Sequence, residues 1–353
     1  MSLRDRLVAQ IRATGPLTVA EYMSRCLHDP VEGYYATRPA LGAAGDFITA
    51  PLVSQMFGEL IGLWMVETWR RMGRPTKFRL VEMGPGDGTL MEDLLRATKV
   101  DKAFLAAAEV WLVEVSEPLK KLQRDRLGTG PRWVSVLADI PSDLPILLIA
   151  NELLDCLPVR QFSLQGAQWA EHRIGVDANG ELLVGLSPVA ALGLPTDAPQ
   201  SAIYEVSTEQ ERLGHEIGER IALDGGAALL IDYGRASPGF GDTLQALSHH
   251  RKVDPLESPG GADLTVHADF PSVRAAAERA GAKTGPILTQ AEFLARLGIV
   301  SRAETLAAAR PEAAELMARQ FKRLTDADQM GELFKVLCIH APGLVPPAFE
   351  AGR

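Results

Sequence analysis

Apolar residues between positions 53 and 71 recur as Met56, Phe57, Leu60, Ile61, Leu63, Trp64 and Trp69, a helical spacing that stops at Gly73 and Pro75. The bulky face of this predicted helix is suited to pack on a sheet. Short apolar runs then alternate with amphipathic ones. Strands are predicted at 78–83, 110–115, 133–137, 146–150 and 227–232, with helices at 89–96 and 209–221. Such alternation implies a mostly parallel, doubly wound α/β sheet. Before it, residues 1–50 read as short helices followed by a glycine-rich stretch at 33–51, the composition of a lid. After 159 the pattern changes to polar-apolar alternation broken by Gly and Pro, a β-rich excursion placed to carry substrate contacts. Residues 233–269, dense in Gly, Pro, His and Asp, read as a long irregular functional connection. Helices follow at 271–281, 291–297 and 311–324, then a strand at 334–340. No repeat is present.

These patterns divide the chain into an N-terminal helical and lid extension (1–52), a first part of the core (53–158) and a β-rich insertion (159–206). A second part of the core with a substrate loop (207–289), a helical insertion (290–332) and a last core strand with its tail (333–353) complete it. At 353 residues, one catalytic core with sizeable additions is the organisation expected.

With 46% hydrophobic and 23% charged residues, the composition is that of a globular protein with its own core. A net charge of −9 argues against binding along nucleic acid and suits a basic partner instead. No apolar run approaches the roughly 20 residues that span a bilayer, so stable membrane insertion is not expected. Cys26, Cys156 and Cys338 are odd in number and far apart, which suggests neither a disulfide framework nor a metal site, but reduced, buried thiols. The opening segment 2–12 is Arg-rich and amphipathic; Asp5 and the lack of a cleavage-like segment favour a structural first helix over a transit peptide.

The strongest chemical signal is the run Leu80-Val81-Glu82-Met83-Gly84-Pro85-Gly86-Asp87-Gly88-Thr89-Leu90, a strand entering a loop of alternating glycines and then a helix. Glycines there permit positive φ and close approach of a ligand to the backbone. A dinucleotide site would show Gly-x-Gly-x-x-Gly and hold pyrophosphate at the helix N-terminus. Here Gly84, Gly86 and Gly88 are spaced Gly-x-Gly-x-Gly behind Glu82, and Asp87 would repel a pyrophosphate. The spacing and the acids favour S-adenosyl-L-methionine, whose methionine end and sulfonium are cationic. Glu114, closing the next strand, is placed to accept hydrogen bonds from both ribose hydroxyls, and Asp139 to reach the adenine end.

Several longer motifs accompany the loop: Gly33-Tyr34-Tyr35, Gly45-Asp46-Phe47-Ile48-Thr49-Ala50-Pro51, Ser54-Gln55-Met56-Phe57-Gly58-Glu59, Asn151-Glu152-Leu153-Leu154-Asp155-Cys156-Leu157-Pro158 and Asp263-Leu264-Thr265-Val266-His267-Ala268-Asp269-Phe270. Together these resemble the MidA family of methyltransferases across nearly the whole chain. Mitochondrial members of that family assist assembly of respiratory complex I (NADH:ubiquinone oxidoreductase) and methylate an arginine of one of its subunits. The resemblance implies a Rossmann-like class I methyltransferase sheet, S-adenosyl-L-methionine as cofactor, and a protein acceptor, a complex I subunit. A start directly at the family's first helix implies a bacterial, cytoplasmic member. Asp87, Leu52 and Gly261 depart from the residues usual in the family, which bears on substrate detail. Oligomeric state is left open.

An arginine acceptor stays protonated at neutral pH and is a poor nucleophile until its charge is localised, so carboxylates must clamp it. Glu152 and Asp155, in the loop after the fourth strand, are the clamp candidates, and Asn151 is a candidate cofactor ligand; the alternative is that Asn151 only caps a helix. Asp46, in the lid stretch, is placed to touch the cofactor amino group or to hold a turn. His267 is the candidate acceptor of the released proton. No His or Cys spacing suggests a metal. A small-molecule methyltransferase, or a cofactor-binding assembly scaffold without turnover, remain the alternatives.

Overall fold

The structure, a computed structural model, describes residues 1–37, 49–190, 193–196, 198–248 and 251–350. The chain opens with helices α1 (Leu3–Thr14) and α2 (Val19–His28), each started by a capping box, Ser2 with Asp5 and Thr18 with Glu21. Helix α3 (Gln55–Arg71) is capped by Ser54, whose side chain accepts the Met56 amide. The central sheet then alternates with helices. Its strands are β1 (Phe78–Met83), β2 (Ala108–Val113), β3 (Arg132–Val134), β4 (Ile146–Asn151), β5 (Gly226–Arg235), β6 (Lys283–Thr284) and β7 (Phe334–His340). Their order is 6-7-5-4-1-2-3, with β3, β2, β1, β4 and β5 parallel and β7 antiparallel to both neighbours. Short segments Ala268–Asp269 and Leu288–Thr289 extend it beside β5 and β7.

β1 and β4 are buried at every position, as parallel strands covered on both faces must be. On one face Phe57, Leu60, Ile61 and Trp64 of α3 pack on Phe78, Leu80, Leu147 and Ile149. On the other, Leu213, Ile217 and Ile221 of a helix at Thr208–Asp224 and Phe270 and Val273 of a helix at Phe270–Arg279 cover Val81, Leu148 and Leu230. Each such side chain contributes about 1.5–3 kcal/mol of burial. The strand order reverses between β1 and β4, and in doubly wound sheets ligands bind in the crevice outside the carboxyl ends of such strands.

The 159–206 excursion is β-rich: Arg160–Gln165, Gln168–Val176, Leu182–Pro188 and Ile203–Val206 form one antiparallel sheet, joined at its edge by Leu17–Thr18 of the N-terminal segment. A third core, with Leu7, Tyr22 and Leu27 against Ile174, Leu264 and Val266, fastens the N-terminal helices to this side. The expected irregular connection at 233–269 is corrected by the structure: Gln245–Ser248 pairs with both Arg251–Val253 and Asp263–Thr265, burying Ala246 and Leu264. The strand expected at 133–137 stops at Val134, because a 3₁₀ turn takes Leu137–Asp139. Helices not anticipated include Glu117–Leu127 and Ile299–Ala309. All three cysteines are free and buried. No described helix is long and apolar enough to cross a membrane.

Candidate functional site

β1 ends at Met83, and Gly84, Gly86 and Gly88 carry the turn into helix α4 (Thr89–Ala97) with φ of 64°, 55° and 86°. These are left-handed values that a side chain would strain. A Cβ on Gly84 would lie 3.0 Å from Leu153 Cδ1, so its bare backbone lets the turns after β1 and β4 come together. Gly88 does something else. Its Cβ would meet Leu127, Arg126 and Gln123 at 3.4–3.6 Å, and it does not line the cavity below. The expected cofactor contact at Gly88 is corrected to close packing of α4 on the helix α5 (Glu117–Leu127). Asp87 Oδ1 accepts the Thr89 amide at 3.0 Å while Oδ2 pairs with Arg126 at 2.8 Å, so this acid is committed to holding the loop.

Over the carboxyl ends of β1, β2 and β4 lies a cavity lined by Glu82, Gly84, Gly86, Glu114, Asn151, Glu152 and Asp155, with Tyr34, Tyr35, Thr49 and Pro51 closing it from the N-terminal segment. Glu82 is 2% exposed. Burial, and then the charges of Asp87 and Glu114, push its carboxyl up to about 8. Its Oε2, Asn151 Oδ1 and Thr89 Oγ1 are buried and find no hydrogen-bond partner among the described residues. Buried polar atoms are rarely left so. Two unmatched acceptors and a hydroxyl around one cavity make a socket for a ligand that brings donors, and a cationic one would restore the Glu82 charge.

Glu114 Oε1 accepts the Val115 and Ser116 amides, both at 2.8 Å, and Oε2 accepts Gln123 Nε2 at 3.3 Å. Burial raises its carboxyl overall, against these bonds. Three of its four acceptor positions are therefore used. Among the described residues one Oε2 position is left for the ribose role expected of it. Gln123 was not read from the sequence. It is fully buried, donates also to Gly86 O at 2.7 Å and accepts Trp133 Nε1 at 2.8 Å, tying the glycine loop, the acid and β3 into one unit.

At the end of β4, Glu152 has φ 54°, a left-handed conformation uncommon for a residue with a side chain and characteristic of functional turns. Its amide donates to Ile231 O at 2.8 Å, and its Oε1 accepts the Ala50 amide at 3.0 Å and Asn151 Nδ2 at 3.1 Å. Burial, with the Asp155 charge adding, pushes it up to about 7, while the two bonds pull the other way. Asp155 is 7% exposed, and burial pushes it up to about 7 against the Tyr233 hydroxyl. No helix follows Asn151, so its helix-capping alternative is excluded; the residues after it form a turn.

The other expected site residues fall elsewhere. Asp139 is exposed on its 3₁₀ turn and does not line the cavity. His267 is likewise outside the lining: its ring stands against Tyr233, centroids 5.6 Å apart, and burial together with Arg235 lowers its pKa. Asp46 lies outside the described residues. From the motif residues given no role, the structure brings in Tyr35, whose hydroxyl donates to Asp263 at 3.2 Å; His28, outside every motif, stacks on Tyr35 with centroids 5.8 Å apart. Among the described residues no group of His, Cys, Asp and Glu is arranged to hold a metal ion.

A glycine loop behind β1, a buried acid behind β2 and unmatched buried acceptors over the switch point fit a Rossmann-like site of the class I methyltransferase type. The chain belongs to the S-adenosyl-L-methionine-dependent methyltransferase family whose model matches residues 60–287. It is 40% identical to the mitochondrial protein arginine methyltransferase NDUFAF7 homolog of Drosophila melanogaster, covering 98% of this chain and 86% of that one. It is 35% identical to the human mitochondrial protein arginine methyltransferase NDUFAF7, covering 94% and 82%. Among solved structures it superposes on a likely methyl transferase from Burkholderia thailandensis bound to S-adenosyl-homocysteine, with TM-score 0.86, 27% identity and coverage of 99% and 95%. The protein is an S-adenosyl-L-methionine-dependent methyltransferase, and the cavity's unmatched acceptors fit that cofactor's cationic end.

Proposed function

We propose that the chain is a protein arginine N-methyltransferase whose acceptor is a subunit of NADH:ubiquinone oxidoreductase, aiding that complex's assembly. The observation that carries this reading is the carboxylate pair Glu152 and Asp155, walled into the cofactor cavity and pushed up to about 7. The names of the relatives and the motif resemblance support the choice of arginine and of complex I. Three free, buried cysteines are compatible with a reducing compartment, which in this reading is the cytoplasm.

When bound, the cofactor supplies a methyl group activated by its sulfonium. Glu82, Gly84, Gly86, Asn151 and Glu114 are the residues that would hold it. A guanidinium entering beside Glu152 and Asp155 lowers both carboxyl pKa values and ionises them, so the clamp forms when its cation arrives. Glu152 Oε1 is already occupied by Ala50 and Asn151, which leaves Oε2 to face the acceptor. Paired carboxylates fix the guanidinium plane and hold positive charge on the nitrogens they contact, leaving electron density on the remaining one. The proton that this nitrogen loses passes to one of the clamp carboxylates, the bases within reach of it. Tyr34, Tyr35 and Pro51 line the cavity on the side of the N-terminal segment.

The test is incubation of the chain and labelled S-adenosyl-L-methionine with separated complex I subunits, followed by mapping of the label. Label on an arginine of one subunit is expected. Label on a small molecule, or none despite cofactor binding, would replace this reading with a small-molecule enzyme or a scaffold.

A further inference from the structure

One buried acid in contact with the clamp plays no part in the mechanism above. Asp232, in β5, has no exposed surface. Its Oδ2 accepts the Leu154 amide at 2.8 Å and the Asp155 amide at 3.2 Å, and its Oδ1 accepts the Tyr233 amide at 2.8 Å. The turn that presents Glu152 and Asp155 is thus hung on this carboxylate, and the preceding residue, Ile231, accepts the Glu152 amide. A backbone held in the left-handed region at Glu152 must be over-determined by its surroundings, and these bonds supply that.

Among the described residues no cation pairs with Asp232. Its neighbour across β7, Lys335, sends its ammonium to the carbonyls of Glu332 and Leu333. The charges that act on it are those of Asp155 and Glu152, and burial together with these like charges raises its carboxyl well above the usual carboxylate range. Two carboxylates this close in a dry site cannot both ionise without cost, so protons belong to the pair Asp155 and Asp232. Three backbone N–H donors point at Asp232 and oppose that rise without cancelling it, and the Tyr233 hydroxyl and the Cys156 amide do the same at Asp155.

We propose that Asp232 is the positioning residue of the acceptor clamp: its carboxyl oxygens fix the 152–155 turn, and it shares with Asp155 the proton that leaves when a cationic acceptor arrives. The proposal rests on the clamp reading of Glu152 and Asp155.

Asp232→Asn keeps the shape but removes the charge and one acceptor, and Asp232→Ala serves as the structural control. In the chain without cofactor, the Asp155 carboxyl is followed by carbon-13 NMR against pH, assigned with Asp155→Asn. In Asp232→Asn its titration is expected to change from a coupled curve of two steps to a single one, because the second carboxyl of the pair is gone. With an arginyl substrate, kcat is expected to fall about 10- to 100-fold as the turn loosens, with the acid limb of the pH profile likewise reduced to a single step and S-adenosyl-homocysteine affinity within about twofold of wild type. An Asp155 titration still in two steps in a folded variant overturns the proposal, as does a kcat loss that merely follows lost thermal stability in both variants. If wild type methylates no arginine, the clamp reading fails by itself, and the carboxyl titration still decides whether Asp232 shares the Asp155 proton.

Discussion

Replacing Glu82 by Gln tests whether the acid behind the glycine loop is held as an unpaired, protonated carboxyl awaiting a cation. In the native chain its pKa is pushed up to about 8, chiefly by burial. In the unfolded chain a glutamate ionises near about 4.3. The folded state therefore binds more protons through the window between these values, and stability falls as pH rises through it. Each pH unit removes about 1.4 kcal/mol, so by about pH 7 the group has cost roughly 3 kcal/mol, against under about 1 kcal/mol at pH 5. At about 2.1 cal/mol/K of unfolding entropy per residue, that is roughly 4 °C of Tm for a chain of 353 residues. Glu152 and Asp155 are raised too and add slope of the same sign, so the comparison is between slopes. Thermal and urea unfolding of wild type and Glu82→Gln between about pH 5 and 7.5 should show the variant losing about one linked proton. Saturating S-adenosyl-homocysteine, whose ammonium offsets the Glu82 charge, should flatten the wild-type curve towards the variant's. Identical slopes would show that Glu82 is ionised and partnered in the free protein, and the socket argument would fail.

S-adenosyl-L-methionine should raise Tm by mass action while NAD does not, and Gly84→Val should abolish the effect through its positive φ and its 3.0 Å approach to Leu153. Glu114→Gln should weaken cofactor affinity by roughly 5- to 150-fold, the loss of a charge-assisted bond of about 1–3 kcal/mol, measured by calorimetry; an unchanged Kd would make Glu114 a loop-holding acid only. Gln123→Ala should lower the same affinity without touching the ligand, because it frees both Gly86 O and Glu114 Oε2; unaltered binding would show that the loop holds itself.

The core was legible because strands buried on both faces are apolar throughout, as β1 and β4 are, and because glycines between a strand and a helix have few other uses. Helix α5 escaped because its buried face is Leu119, Lys120 and Gln123, two of them polar, which leaves little periodicity to read. The strands inside 233–269 span three or four residues, too few for alternation to register. Within the site, spacing correctly grouped Glu82, Glu114, Asn151, Glu152 and Asp155 around one cavity. It misplaced Asp139 and His267, whose positions depend on where β3 ends and on which side of Tyr233 the chain passes. Asp232 read as the mere end of an apolar run, since only the pairing of β4 with β5 brings its carboxylate to the Leu154 and Asp155 amides.

The central claim is that one cavity separates a donor side, Glu82 and Glu114, from an acceptor side, Glu152 and Asp155. The most direct measurement is single-turnover methyl transfer to an arginyl substrate by wild type and Glu152→Gln, with cofactor affinity determined on the same samples. The expected result is affinity within about twofold and transfer slower by on the order of 10²-fold, the loss of a preorganised electrostatic partner. Wild-type transfer by Glu152→Gln, or a rate loss explained entirely by weaker cofactor binding, would contradict the account.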